Sequence, residues 1–201
     1  MEGPALTLIT PCYRQHNLSK IYESINFDKI YRWIIIYDTT RGRNYTDKFS
    51  GVDKIIELRC DTPGVSGNTQ RNCGLEEISR LLGYEAQGHY IYFLDDDNIV
   101  HPDFWEIAAT AVADPGHFYT FNQIGNGQVG MDPRVPFRGT TPRLRCIDTA
   151  MYLIDIGLIG GARWEPQYYW SDGLFIEKIA TTWPEHHRFI DRVGAYYNAL
   201  A

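Results

Sequence analysis

The chain has 201 residues, with 19 Lys and Arg against 25 Asp and Glu and a net charge of −6 when His is neutral. That length predicts one domain, and the mild acidity leaves no field for gripping a nucleic-acid backbone. Hydrophobic residues make up 44% and charged residues 22%, which argues against disorder, and no apolar run nears the roughly 20 residues that cross a bilayer. The opening Met-Glu-Gly-Pro-Ala lacks a secretory pattern, and Cys12, Cys60, Cys73 and Cys146 are widely scattered. Zinc sites and disulfide frameworks use tighter spacings, so the thiols are expected to be reduced and buried, and the protein cytoplasmic.

Residues 5–10 (ALTLIT) form a first predicted strand, ended by Pro11. A helix capped by Asn17 or Ser19 is expected to run to about Phe27. Residues 32–37 (RWIIIY) read as a strand buried on both faces, stopping at Asp38. A loop rich in Arg, Gly and Asn follows, then a third strand at 54–58 and a Pro/Gly/Ser turn at 62–67. Residues 68–82 read as a helix with Gly83 in its C-cap region. Residues 89–94 (HYIYFL) form a fourth strand that ends in Asp95, Asp96 and Asp97. A helix is expected from Asp103 to about Val112. The alternation predicts an α/β fold, an open and mostly parallel twisted sheet flanked by helices. Such sheets bind ligands beyond the carboxyl ends of their strands, so Asp38 and the Asp95, Asp96, Asp97 triplet should share one crevice.

The second half is less regular. A strand is expected at 118–123, a loop at 125–138, and a strand or bent strand at 145–154. A helix is predicted over 170–182 and a last one from about Glu185 to Leu200. With no linker in view, residues 1–201 read as one domain, with a ligand-binding half at 1–112 and a closing half at 113–201.

Three adjacent carboxylates at a strand end repel one another, an arrangement that a divalent cation would relieve. Mg²⁺ and Mn²⁺ take oxygen ligands and complete their shells with diphosphate oxygens. The alternative is an acidic turn leading into the next helix.

The ordered set TLITPCYRQHNL, IIIYDTT and FLDDDNIVHPDFW resembles the inverting nucleotide-sugar glycosyltransferases of family 2, which have the GT-A (Rossmann-like) fold. NTQRNCGL followed by YFLDDDNIVHPDFW resembles family 43, the β-1,3-glucuronyltransferases, which show a QRN-containing helix before a DDDN strand end. The likeness covers about residues 5 to 112. Family 43 enzymes carry a membrane anchor and a Trp-Glu-Ser catalytic start, where this chain has Tyr169-Trp170-Ser171-Asp172; family 2 places a Glu-Asp pair there.

The resemblance implies a metal-dependent transferase using Mn²⁺ or Mg²⁺, a nucleotide-sugar donor and a glycan or small-molecule acceptor. Thr10, Pro11 and Tyr13 would line the nucleotide pocket. Asp38 would accept the base N3–H, which favours uracil and a UDP-sugar, because a carboxylate needs a donor opposite it. Arg71 would pair with the diphosphate or sugar, or else form a surface salt bridge. Asp95 would contact ribose or sugar, Asp96 ribose or metal, and Asp97 the metal most directly. Asp172 would be the general base, although Ser171-Asp172 also fits a plain helix start. Of His186 and His187 at most one, taken as His187, would reach the metal. Asp148 and Trp170 would contact the acceptor, the latter within an aromatic cluster of Trp164, Tyr168 and Tyr169.

Other classes fit less well. A haloacid-dehalogenase-like phosphohydrolase carries its Asp-x-Asp on the first strand. A nucleotidyltransferase would want a Gly-rich basic loop after it. A non-catalytic sugar-nucleotide-binding module would not need so dense an acidic strand end.

Overall fold

The computed structural model describes residues 5–40, 45–83, 86–125 and 134–201. In chain order the elements are β1 (Leu6–Cys12), α1 (Leu18–Ser24), β2 (Arg32–Asp38), β3 (Ile55–Cys60), α2 (Asn68–Leu82), β4 (Tyr90–Phe93), β5 (Ile99–Val100), α3 (Phe104–Ala113), β6 (Phe118–Gly125), β7 (Tyr152–Asp155), α4 (Ile156–Ile159), α5 (Ser171–Thr182) and β8 (His187–Tyr197). The strands join into one sheet in the order β3-β2-β1-β4-β7-β6-β8-β5. The β3–β2, β2–β1, β1–β4 and β6–β8 pairings are parallel. The β4–β7, β7–β6 and β8–β5 pairings are antiparallel.

The parallel block follows from its sequence. β1 is buried at every position and β2 at all but its ends, as strands covered on both faces must be. Alternate residues feed two cores. Leu6, Leu8, Trp33, Ile35, Tyr90 and Tyr92 pack on one face with Phe104 and Ile107 of α3. Ile9, Ile34, Ile36, Ile91 and Phe93 pack on the other with Leu75 and Ile78 of α2 and Phe175 and Ile176 of α5. α2 can approach closely because Gly74 has no side chain: a Cβ there would lie 2.5 Å from Ile9 Cγ2. Gly67, at φ +79, lets the start of α2 fold over Pro11. The chain crosses from β1 to β2 on one side and reaches β4 on the other, so the sheet has a topological switch point between β1 and β4.

The second half departs from the sequence-based expectation in two places. The segment expected as a final helix is β8, paired in parallel with β6 from Phe118↔His187 onward through two register shifts. Its Phe189, Ile190, Val193, Tyr196 and Tyr197 are aromatic or β-branched, and β6 offers an open edge; that tertiary partner overrides helix spacing. Gly194 lies against the Phe121 ring, where a side chain would collide. The strand expected at 145–154 forms only over Tyr152–Asp155. Ahead of it Asp148 caps a 3-10 turn at Thr149–Met151, and Arg145 sits at φ 66. Residues 41–44 and 126–133, within two expected loops, lie outside the described residues.

The four cysteines are free thiols. The fold brings two that are distant in sequence together, with Cys60 and Cys73 Sγ atoms 2.9 Å apart. Among the described residues no helix is long and apolar enough to cross a membrane.

Candidate active site

A cleft of about 700 Å³ opens at the switch point, beyond the carboxyl ends of β1, β2 and β4. Register explains its floor. Ile9 of β1 pairs with Phe93 of β4, which carries Asp95, Asp96 and Asp97 alongside the turn at Tyr13 and Arg14. Asp38, paired with Cys60, ends β2 at the same rim.

The three carboxylates are held differently. Asp96 is 6% exposed; its Oδ2 accepts the backbone N–H groups of Tyr13 (2.6 Å) and Arg14 (2.5 Å), and its Oδ1 accepts from the Arg14 guanidinium at 2.6 Å. It is thus an internal fastener between β4 and the β1 turn. Asp97 pairs with the same Arg14 nitrogen at 3.0 Å. Burial first, and then the neighbouring Asp95, push its carboxyl up to about 6. Asp95 pairs with Arg71.

Arg71 is 4% exposed, so it forms no surface salt bridge. Its Nη1 also donates to the Ser66 carbonyl at 2.7 Å and to Asn68 Oδ1 at 3.2 Å, and its guanidinium lies 4.4 Å over the Trp164 ring. Neighbouring residues of α2 bind the strip that leads into α5. Asn72 exchanges two hydrogen bonds with the Trp164 backbone (2.8 and 2.9 Å), and Asn68 donates to the carbonyls of Glu165 (3.0 Å) and Tyr168 (2.8 Å). Buried Ser171 accepts the Glu165 N–H at 2.6 Å. The QRN helix therefore sets both the acidic floor and the position of Asp172, in the first turn of α5.

Asp172 has its carboxyl raised by burial, with the Gly173 N–H and Arg71 opposing that rise and Asp95 adding to it. Asp148 faces the same space. Burial, then Asp95 and Asp172, push it up to about 7. At the mouth, Trp170 is 49% and Tyr169 73% exposed, and Tyr168 stacks on Trp170 at 5.7 Å.

The cleft brings together Pro11, Tyr13, Asp38, Arg71, Asp95, Asp96, Asp97, Asp148, Trp170 and Asp172. Two expected members lie elsewhere. Thr10 points into the core, where its hydroxyl accepts from Trp33 Nε1 at 2.9 Å, so it supports the pocket without lining it. His187 does not line the cleft: its Nε2 lies 2.8 Å from Thr120 Oγ1, its ring stacks on Phe118 at 5.0 Å, and burial lowers its pKa. The helix assumed for that segment would have aimed it differently. Asp38 Oδ1 accepts the N–H (2.9 Å) and the hydroxyl (2.6 Å) of Thr40 at the rim of the cleft.

The cleft also contains Arg14, Gln123, Arg145 and Tyr197, which sequence reasoning passed over. Arg14 stands inside the TPCYRQ stretch and was legible there. Gln123 and Tyr197 reach the cleft through the β6–β8 pairing, which leaves no local signal.

Among the described residues no three His, Cys, Asp or Glu side chains gather into a protein-only metal cage. The donor set still fits a hard dication that shares substrate oxygens. Asp97 is a desolvated carboxylate crowded by like charge, and one or two such ligands suffice when a diphosphate supplies the rest. Asp96 fits this less well than expected, because both its oxygens are committed within the protein.

A pH dependence follows from Asp148. Its folded pKa, about 7, lies above the ordinary 3.8, so the folded state holds the extra proton between those values. The stability this contributes is complete below about pH 4 and is lost as pH rises through 7. Asp97 acts in the same direction at about 6. Asp148→Asn is expected to flatten the fall in melting temperature between pH 5 and 8, and to melt above the parent chain at pH 8. Parallel melting curves for the two proteins across that range would contradict the assignment.

Comparison with solved structures gives the fold class: the chain has the GT-A fold, that of nucleotide-sugar glycosyltransferases. It is similar to the crystal structure of Staphylococcus aureus TarS 1–349 at TM-score 0.65 and 15% identity, over 95% of this chain and 59% of that one. It is also similar to glucosyl-3-phosphoglycerate synthase from Mycobacterium tuberculosis, solved with Mn²⁺, UDP and glucosyl-3-phosphoglycerate, at TM-score 0.56 and 15% identity, over 96% of this chain and 72% of that one. This chain thus spans under two thirds of the TarS structure's length. No protein-family model matches the chain, and no curated protein matches it by sequence.

Proposed function

We propose that the chain is a metal-dependent, inverting glycosyltransferase that moves a sugar from a UDP-sugar to a hydroxyl of a glycan or small molecule. One observation carries this reading: Asp97, the Arg71–Asp95 pair and Asp172 converge in a single cleft at the switch point of a GT-A sheet. Residues 1–112 would supply the donor side and residues 113–201 most of the acceptor side. The M. tuberculosis neighbour, solved with UDP and Mn²⁺, supports the donor and metal assignments.

Tyr13 would stack on the base and Asp38 Oδ2 would accept its N3–H. Arg71, fixed by Asp95, Ser66 and Asn68, would hold the diphosphate or the sugar without further ordering. Asp97 would hold a Mn²⁺ or Mg²⁺, which would supply positive charge to the leaving diphosphate. Tyr169 and Trp170 would offer aromatic faces to the acceptor. Asp172 would take the acceptor hydroxyl proton as that oxygen attacks the anomeric carbon from the side opposite the leaving diphosphate. Asp148, protonated near neutrality, would donate a hydrogen bond to the acceptor.

A thermal-shift series tests the reading. UDP with Mn²⁺, at about 100 times its dissociation constant, is expected to add about 2.7 kcal/mol. For a chain of this size that raises the melting temperature by roughly 5–10 °C. GDP, dTDP and phosphate should shift it less. No response to any nucleoside diphosphate would overturn the proposal in favour of a phosphohydrolase or a binding module. UDP stabilisation without hydrolysis or transfer from any UDP-sugar would leave a binding module alone.

A further inference from the structure

Arg14 is the one cationic side chain bonded to both Asp96 and Asp97 among the described residues. Its backbone N–H is fixed on Asp96 Oδ2 at 2.5 Å, so the base of the side chain cannot drift. Its guanidinium end is different: the side chain is 39% exposed on the cleft side and spans Asp96 Oδ1 (2.6 Å) and Asp97 Oδ2 (3.0 Å). The same region contains a second cation, Arg71, but it is buried and its pairing is with Asp95, Ser66 and Asn68, not with Asp97. The positive charge next to Asp97 is therefore supplied by one long, solvent-reaching arginine on a fixed stem.

We propose that Arg14 is an internal counter-ion that makes dication binding at Asp97 conditional on the nucleotide diphosphate. The inference rests on the transferase reading and concerns the same site. A dication approaching Asp97 alone meets a guanidinium already seated on that carboxylate, and the two cations repel. A diphosphate changes the sign of the local field. It offers Arg14 a bidentate partner in the cleft and gives the dication its missing oxygens. Arg14 then leaves Asp97 while keeping its backbone bond to Asp96. Metal and nucleotide consequently bind with positive coupling, and by linkage each raises the other's affinity by the same factor. The ligand-free protein is kept from taking up free Mn²⁺ or Mg²⁺, and Asp97 is not left as a desolvated, unpaired charge.

The test is an electron paramagnetic resonance titration of Mn²⁺ into the whole chain, with and without UDP, followed by the reverse titration of UDP. In the parent chain Mn²⁺ alone should bind weakly, with UDP tightening it by about tenfold or more. Arg14→Gln removes the charge but keeps the backbone N–H on Asp96. It should bind Mn²⁺ alone about tenfold more tightly, with the coupling factor falling by about the same factor while staying above one, because the diphosphate still supplies metal ligands. Arg14→Lys, which keeps the charge, should behave as the parent does. Unchanged Mn²⁺ affinity in a folded Arg14→Gln, or an Arg14→Lys that matches Arg14→Gln, overturns the inference. Asp97→Asn separates the two levels: Mn²⁺ binding that survives it overturns the metal placement in the transferase reading itself.

Discussion

Asp172→Asn is expected to lower sugar transfer about a thousandfold, within the usual span for losing a general base, while UDP affinity changes less than about twofold. The carboxamide matches the carboxylate in shape but accepts no proton at neutral pH. Burial makes Asp172 more basic than a solvent-exposed carboxylate, and the Gly173 N–H and Arg71 limit that rise. A base in this position must be ionised before the reaction and basic enough to take a hydroxyl proton during it. The fold should tolerate the change, because Asp172 is not the N-cap of α5, which is Trp170, and α5 is anchored independently by Phe175 and Ile176 in the core. Single-turnover transfer from a UDP-sugar panel, paired with UDP titrations, measures both halves of the expectation. Turnover within about threefold of the parent would remove Asp172 from the base role. Loss of activity in Asp148→Asn alone would then move that role to Asp148.

The donor half of the fold was legible because its signals are local. The apolar run Trp33–Tyr37 reads as a strand covered on both faces, and Asn68–Leu82 has helix formers and an apolar stripe in its second half and a glycine just past its end. Strand ends in such sheets share a rim, so Asp38 and the acidic triplet could be placed together before their partners were known. What stayed hidden was direction and pairing. Thr10 and Pro11 are adjacent on β1, yet Pro11 meets the cleft and Thr10 the Trp33 indole; in a strand buried at every position, polarity does not show which face is which. His187 was misread because the β6 edge, whose Thr120 lies 67 residues upstream, decides that its segment is a strand. Asp96 looks like a metal ligand by composition. Only the fold shows that two backbone N–H groups and Arg14 already occupy its oxygens.

Arg71→Met should cost about 3–5 kcal/mol of stability and abolish measurable UDP-sugar binding, the largest combined effect expected from a single substitution here. Methionine fills much of the same volume and can still lie against Trp164, so the loss isolates the charge and its hydrogen bonds. Three partners are stranded together: the Asp95 carboxylate, the Ser66 carbonyl and Asn68 Oδ1. Asp95 is the costly one, because it stays beside Asp97 with no cation of its own. For a chain of this length the melting temperature should fall by roughly 6–20 °C. The double substitution Arg71→Met with Asp95→Asn distinguishes a structural ion pair from a ligand-binding arginine. Neutralising Asp95 should restore most of the lost stability, since the two residues are in direct contact and their effects cannot add. Donor binding should not return, because Arg71 is still missing and Arg14 alone cannot replace the contacts it would make to the diphosphate or sugar. Urea melts at pH 7 and UDP-sugar titrations read the two effects separately. A single Arg71→Met that costs under about 1 kcal/mol would show that the pair is screened and not buried. A double variant that binds donor as the parent does would show that Arg71 holds the fold and not the substrate.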